Sequence, residues 1–150
     1  MNQIQEVADR LALRSLVEQY ARGADNRSPE LFGGAFTRDA VLNTSRGEVI
    51  GGDAIGALAP KLGRYKATMH MIGNHYVDFV DDDHATGETY CMASHVYDAD
   101  GIDRVYVMAI RYQDAYVRTD DGWRMEARTL KLQWDEDRPL REGDTSKKPG

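Results

Sequence analysis

The chain has 150 residues, enough for one domain around one core, with 41% hydrophobic and 29% charged residues, ordinary for a globular protein. A net charge of -6 at pH 7, with paired lysines only at Lys147 and Lys148, argues against a nucleic acid or an anionic membrane surface as partner. The lone Cys91 excludes an intrachain disulfide, and no signal-type or long apolar segment is present, so a cytoplasmic protein is expected.

From the N-terminus, Ile4, Val7, Ala8, Leu11, Leu13, Leu16, Val17, Tyr20 and Ala24 recur at three- and four-residue spacing. This predicts a long amphipathic helix with one buried face, ending near Gly23. "SPELFGGAF" restarts a helix: Ser28 is a good N-cap, Pro29 suits the first helical position, and Glu30 suits the positive end of the dipole. "DAVLNT" and "RGEVIGG" read as two short strands joined by a turn. In "GDAIGALAPKLGRY" a weaker helix is expected, capped by Asp53, with Ile55, Leu58 and Leu62 as its stripe and Pro60 kinking or shortening it.

From Thr68 the period becomes two. Strands are predicted over Thr68–Val80, Ala85–Tyr97, Val105–Arg118 and Trp123–Trp134, with "VDDDHA" and "TDDG" as hairpin turns and "DADGID" as a looser connection. Antiparallel strands this long twist and coil into a curved sheet that can wrap around helices, and helices followed by a meander indicate an α+β fold. Residues 135–150 are polar and without period, so a single domain over 1–134 and a mobile tail are expected.

Alternation along the strands sorts the polar residues. Without a bulge, His70, Ile72, Asn74 and Tyr76 share one face, and Met69, Met71, His75, Val77 and Phe79 the other; a strand glycine such as Gly73 often marks a bulge that resets this parity. On the next strand Thr89, Cys91, Ala93 and His95 form a small, polar face that leaves room for a pocket. Asp25 follows the long helix, five residues after Tyr20. Such a carboxylate is usually a surface residue, but an Asp that reaches a histidine fixes its tautomer and raises its basicity.

Four stretches, "YARGADNRSPELFGGAFTRDAV", "GEVIGGDAIGAL", "HMIGNHYVDFVDDDHATGETYCMASHVY" and "YVRTDDGWRMEART", resemble the SnoaL-like branch of the nuclear-transport-factor-two-like, or cystatin-like, superfamily. The Phe-Thr-x-Asp-Ala phrase and the Asp-Gly-Trp-Arg hairpin are specific in combination. The resemblance runs from about Ile4 to Trp134. It implies a cone-shaped α+β barrel, in which a strongly curved, mainly antiparallel sheet wraps on the long N-terminal helix and the mouth of the cone is the active site. Several members are lyases that need no cofactor, among them scytalone dehydratase, hexachlorocyclohexane dehydrochlorinase and the bile-acid dehydratases. The family's Asp after the first helix and His on the first long strand fall at Asp25 and His70, and the helix tyrosine of the bile-acid enzymes falls at Tyr20. Their carboxylate on the following strand falls near Ala93, so His95, two residues along the same face, is the candidate second acid/base.

Asn74, Tyr112 and Arg128 are the candidate substrate contacts. Each assignment has a plainer counterpart. His70 could be a hydrogen-bonded core histidine, Tyr20 a packing residue, and Asn74 a partner for backbone at a bulge. Arg128 could pair with a surface carboxylate. His75 is expected to be structural and His84 exposed, while Met69, Met71, Met92, Met108 and Met125 read as core or pocket lining. No His-x-His or His-Glu-x-x-His spacing suggests a metal, and no glycine-rich phosphate loop is present, so neither metal nor cofactor is expected. The expected function is a cofactor-independent lyase of dehydratase type, acting on a small apolar cyclic or aromatic molecule. The alternatives are an isomerase or polyketide cyclase in the same pocket, or a small-ligand-binding module without chemistry. Val105, Val107 and Ala109 are expected on an exposed apolar outer face, which suggests a homo-oligomer, dimer or trimer.

Overall fold

A computed structural model describes residues 1–141. The first helix, α1 (Gln3–Asp25), is capped by the Asn2 side chain, which accepts from the Gln5 amide at 2.8 Å. Its second half buries Leu13, Leu16, Val17, Tyr20 and Ala24. The first half departs from the predicted stripe: Ile4, Val7 and Leu11 are 83%, 59% and 65% exposed. At about 3.6 residues per turn they lie opposite Asp9, which shares the buried face with Leu13 and Leu16. Asp9 accepts from both Arg118 Nη atoms, at 2.9 and 2.7 Å, and from Trp123 Nε1 at 2.9 Å. A polar anchor therefore fastens the start of the helix.

That anchor makes a prediction. The bonds from Arg118, against the opposing effect of burial, hold Asp9 down to about 2 from 3.8. A folded-state pKa below the unfolded one gives stability that is present above the unfolded value and is lost as pH falls through the folded value. Asp9→Asn should therefore be less stable than the parent at neutral pH by about 2 kcal/mol, with the gap closing between about pH 4 and 2. Urea unfolding across that range checks it, and a gap that persists at the acid end would contradict it.

Helix α2 (Pro29–Gly34) starts as predicted, with Ser28 Oγ accepting from the Leu31 amide at 3.2 Å and Pro29 in the first turn. It packs so close to α1 that a Cβ at Gly23 would lie 2.5 Å from the Phe32 nitrogen. Helix α3 (Gly52–Gly56) is capped at Gly51 rather than Asp53, and Pro60 diverts the chain into a 3-10 turn, Ala59–Arg64.

The strands are β1 (Phe36–Thr44), β2 (Gly47–Ile50), β3 (Ala67–Phe79), β4 (His84–Ala99), β5 (Ile102–Thr119) and β6 (Gly122–Pro139). They form one six-stranded sheet in the order β2-β1-β6-β5-β4-β3, antiparallel except where β1 joins β6. Bulges at Ile72/His75 in β3 and at Ala109/Ile110 and Ala115/Tyr116 between β5 and β6 sharpen the curl that closes the sheet around α1. Strand β6 runs into the stretch assigned to the tail: Asp135–Pro139 pair with Arg104–Met108. Backbone pairing needs no apolar side chain, and here the acidic residues are bound, Asp135 by Tyr106 Oη at 2.7 Å and Asp137 by Tyr97 Oη at 2.6 Å. The rest of the expected tail, 142–150, lies outside the described residues.

Helix α1 also runs along the open edge of β3. Arg10 donates to the Val77 carbonyl at 3.0 Å, and Arg14 to those of Gly73 and Ile72 at 2.6 and 3.3 Å. The outer face differs from expectation: Val105, Val107 and Ala109 lie on it but are buried by their neighbours in the central strands. Exposed apolar residues there include Met69, Met71, Met92 and Trp134, so these three methionines line neither core nor pocket, whereas Met125 is in the core.

Candidate active site

The cone encloses a cavity of about 360 Å³. Its walls are largely apolar, with Phe32 and Leu42 from the α2 and β1 side, Leu58 and Leu62 from the helical connection, and Ala93, Met108 and Ile110 from the sheet. Tyr20, His70, His95 and Tyr112 project into it, and Arg46, Lys61 and Arg64 stand around the opening.

Asp25, the last residue of α1, sits in the wall behind His70, reached from outside by an open groove between α1 and β3. Its Oδ1 lies 2.7 Å from His70 Nδ1 and accepts from Thr68 Oγ1 at 2.9 Å, while Oδ2 accepts from the His70 amide at 2.9 Å. Burial alone would raise the Asp25 pKa, but the bonds from the His70 ring and amide and from Thr68 outweigh it and hold the carboxyl below its ordinary value. A carboxylate only accepts, so Nδ1 carries the hydrogen and Nε2 keeps a free lone pair.

His95 is the second imidazole. Its Nδ1 lies 3.1 Å from the Tyr106 carbonyl oxygen, which fixes the same tautomer, and its ring meets that of His70 edge to face at 5.6 Å. Burial lowers its pKa, the bond to Tyr106 opposes this, and the charge of Arg64 adds to the lowering. His95 is thus a neutral acceptor beside the Asp25–His70 pair.

Tyr20 stacks on Phe32 at 4.4 Å and meets Tyr112 edge-on at 5.7 Å. Burial raises the pKa of both phenols, with Arg128 acting in the opposite direction on each, so both remain hydrogen-bond donors at neutral pH.

Two expected contacts fall elsewhere. Asn74 is exposed, donating to Tyr76 Oη at 3.0 Å, because the bulge at Gly73 turns it outward. The same bulge brings His75 onto the inner face with Val77 and Phe79, where Nε2 lies 3.1 Å from Tyr116 Oη. Arg128 lines neither the cavity nor its mouth and is not on the surface: it is 0% exposed, and Asp114 holds it through Nε at 2.7 Å and Nη2 at 2.8 Å. Its guanidinium lies 4.4 Å from the Tyr20 ring centre and 4.1 Å from that of Tyr112, directly behind the phenols that do line the cavity.

Asp114 was missed in the sequence. It also accepts from Thr89 Oγ1 at 2.7 Å and Tyr116 Oη at 2.9 Å, completing a buried polar layer beneath the cavity. The available signal was its register, since Asp114 alternates inward with Tyr112 and Tyr116, and a buried carboxylate requires a cation. His84 is exposed, as expected, and binds Asp81 at 2.9 Å. Among the described residues no group of three or more His, Cys, Asp or Glu side chains could hold a metal. No helix of the described residues is long and apolar enough to cross a membrane.

The pattern of the SnoaL-like domain matches residues 5–129. An uncharacterized protein of Mycobacterium tuberculosis is 32% identical over 133 residues, which cover 83% of this chain and 86% of that protein. A scytalone dehydratase-like protein of Novosphingobium aromaticivorans superposes with a TM-score of 0.81 at 22% identity, covering 93% of this chain and 94% of that one. The hexachlorocyclohexane dehydrochlorinase LinA-type3 of Novosphingobium barchaimii does so with a TM-score of 0.81 at 19% identity, covering 95% and 97%. At such identities the likeness is one of fold.

Proposed function

The chain belongs to the SnoaL-like domain family, and from that membership we propose that it is a cofactor-independent lyase removing water from a small cyclic or aromatic substrate. The observation that carries this reading is the 2.7 Å contact between Asp25 and His70, with the imidazole Nε2 left free at an apolar cavity. His70 Nε2 takes a proton from carbon next to an activating carbonyl, and Asp25 stabilises the imidazolium that forms. Tyr20, with Tyr112 beside it, donates to the oxygen that gains charge. The C–OH bond breaks as the C=C bond forms, and the imidazolium proton leaves with the hydroxyl as water. His95 Nε2 accepts from the substrate hydroxyl and holds it for departure.

Incubating the protein with a panel of cyclic β-hydroxy ketones and following mass tests this. Products lighter by one water support the lyase. Products of unchanged mass with a shifted double bond would replace it with an isomerase using the same base. Retained ligand without conversion would leave a binding module.

We further propose, from the apolar outer face, a homo-oligomer, dimer or trimer. Met71, Met92, Ala109 and Trp134 lie side by side across β3, β4, β5 and β6, and Met71 and Trp134 are 59% and 62% exposed. Trp134→Glu should shift the protein to monomer at micromolar concentration. A parent that already scatters light as a monomer would sink this expectation.

A further inference from the structure

We propose that the mouth of the cavity is an anion subsite, so that the substrate is amphiphilic: an apolar ring that reaches His70, bearing a carboxylate or phosphate that stays at the rim. This rests on the cavity being the substrate site, and it narrows the class of molecule that enters.

Arg46, Lys61 and Arg64 all line the cavity and are exposed, which puts them at its rim. Lys61 and Arg64 are three residues apart on the 3-10 turn, a spacing that puts both on one side. Arg46 faces the opening from the β1–β2 turn, where its amide donates to Thr44 Oγ1 at 3.1 Å and Thr44 Oγ1 donates to the Gly47 carbonyl at 3.0 Å. Arg64 is partly set in place: its Nη2 bonds Tyr65 Oη at 3.1 Å and its guanidinium lies 4.9 Å from the Tyr65 ring centre. Among the described residues none of the three lies within 4.0 Å of a carboxylate.

The counter-charges are few. Among the described residues Glu48 is the only carboxylate that lines the cavity, and Asp135 is bound by Tyr106 Oη. In a chain of net charge -6, this rim is a local reversal of sign at the cavity that both imidazoles line. The field reaches inward as well, since Arg64 disfavours the protonation of His95. The apolar walls below would not hold a free ion, so the charge stays at the rim and the ring fills the interior.

Naphthoate, naphthyl phosphate and uncharged naphthamide share one ring and differ in the group at its edge, so their dissociation constants, read by fluorescence, test the proposal. The parent should bind at least one anion more tightly than naphthamide, with the preference eroded by salt. The triple variant Arg46→Gln, Lys61→Gln, Arg64→Gln should weaken that anion at least about ten-fold, the combined effect of three partly exposed ion pairs, and leave naphthamide unchanged. Arg38→Gln, Arg124→Gln, Lys131→Gln, which removes as much charge from residues that do not line the cavity, should change nothing. Whichever anion shows the effect identifies the group. Equal affinity for all three probes in the parent, or equal losses in both triple variants, would overturn the subsite. Naphthamide binding reports the cavity itself, and none of these constants depends on turnover, so failure of the elimination chemistry would be seen separately.

Discussion

His70→Gln is expected to fold like the parent and to lose turnover by about a hundred- to ten-thousand-fold, the usual contribution of a positioned general base. Glutamine is of similar size and its amide can still donate to Asp25, so melting should move little, on the order of 1 kcal/mol or less. It has no lone pair basic enough to take a proton from carbon at neutral pH. Asp25→Asn should also cripple turnover, but it is the less clean probe. Asp25 accepts from Thr68 Oγ1 and from the His70 amide as well as from the ring. An asparagine would turn its own NH2 donors toward one of those donors, so stability falls with activity. Because the two residues act as one unit, the double variant should be scarcely slower than the slower single variant. Kinetics and melting on the same His70→Gln sample decide the matter. A folded His70→Gln protein with parental turnover would mean that the histidine only fills space.

Asp114→Ala should be strongly destabilising, by about 3 kcal/mol or more, since it strands a fully buried guanidinium without its carboxylate. It also removes the acceptor of Thr89 and Tyr116. Replacing both ends of the pair, as in Asp114→Leu with Arg128→Met, should recover much of that loss, because no uncompensated charge remains. Urea unfolding of the single and double variants measures the difference. A loss under about 1 kcal/mol for Asp114→Ala would show that the pair is dispensable.

Much of this fold was legible in the residue pattern. Helical spacing through Tyr20, the Ser28-Pro29 start and four runs of period two located the main elements, and on β4 alternation placed Cys91, Ala93 and His95 on the inner face. The pairing of Asp25 with His70 was not legible from spacing, since nothing local joins residues so far apart; it came from resemblance to a family. Alternation failed at Gly73, where one extra residue sends Asn74 out and His75 in. Arg128 was misjudged because a guanidinium reads as surface until its acceptor is known, and that acceptor lies on a neighbouring strand. Ile4, Val7 and Leu11 misled for the opposite reason: the apolar stripe was real, but Asp9 chose the buried side. At Asp135–Pro139 composition read as tail while the neighbouring strand still offered backbone partners.

The arginines that reach from α1 to the carbonyls of β3 bear on how copies of this chain can meet. A strand at the margin of a sheet invites addition of a strand from another molecule, the route to runaway polymers. Here one margin is occupied by Arg10 and Arg14, and the other is the four-residue strand β2. Neither offers a long free ladder, so any contact between copies would fall to side chains on the outer face, where an assembly can close and stop growing.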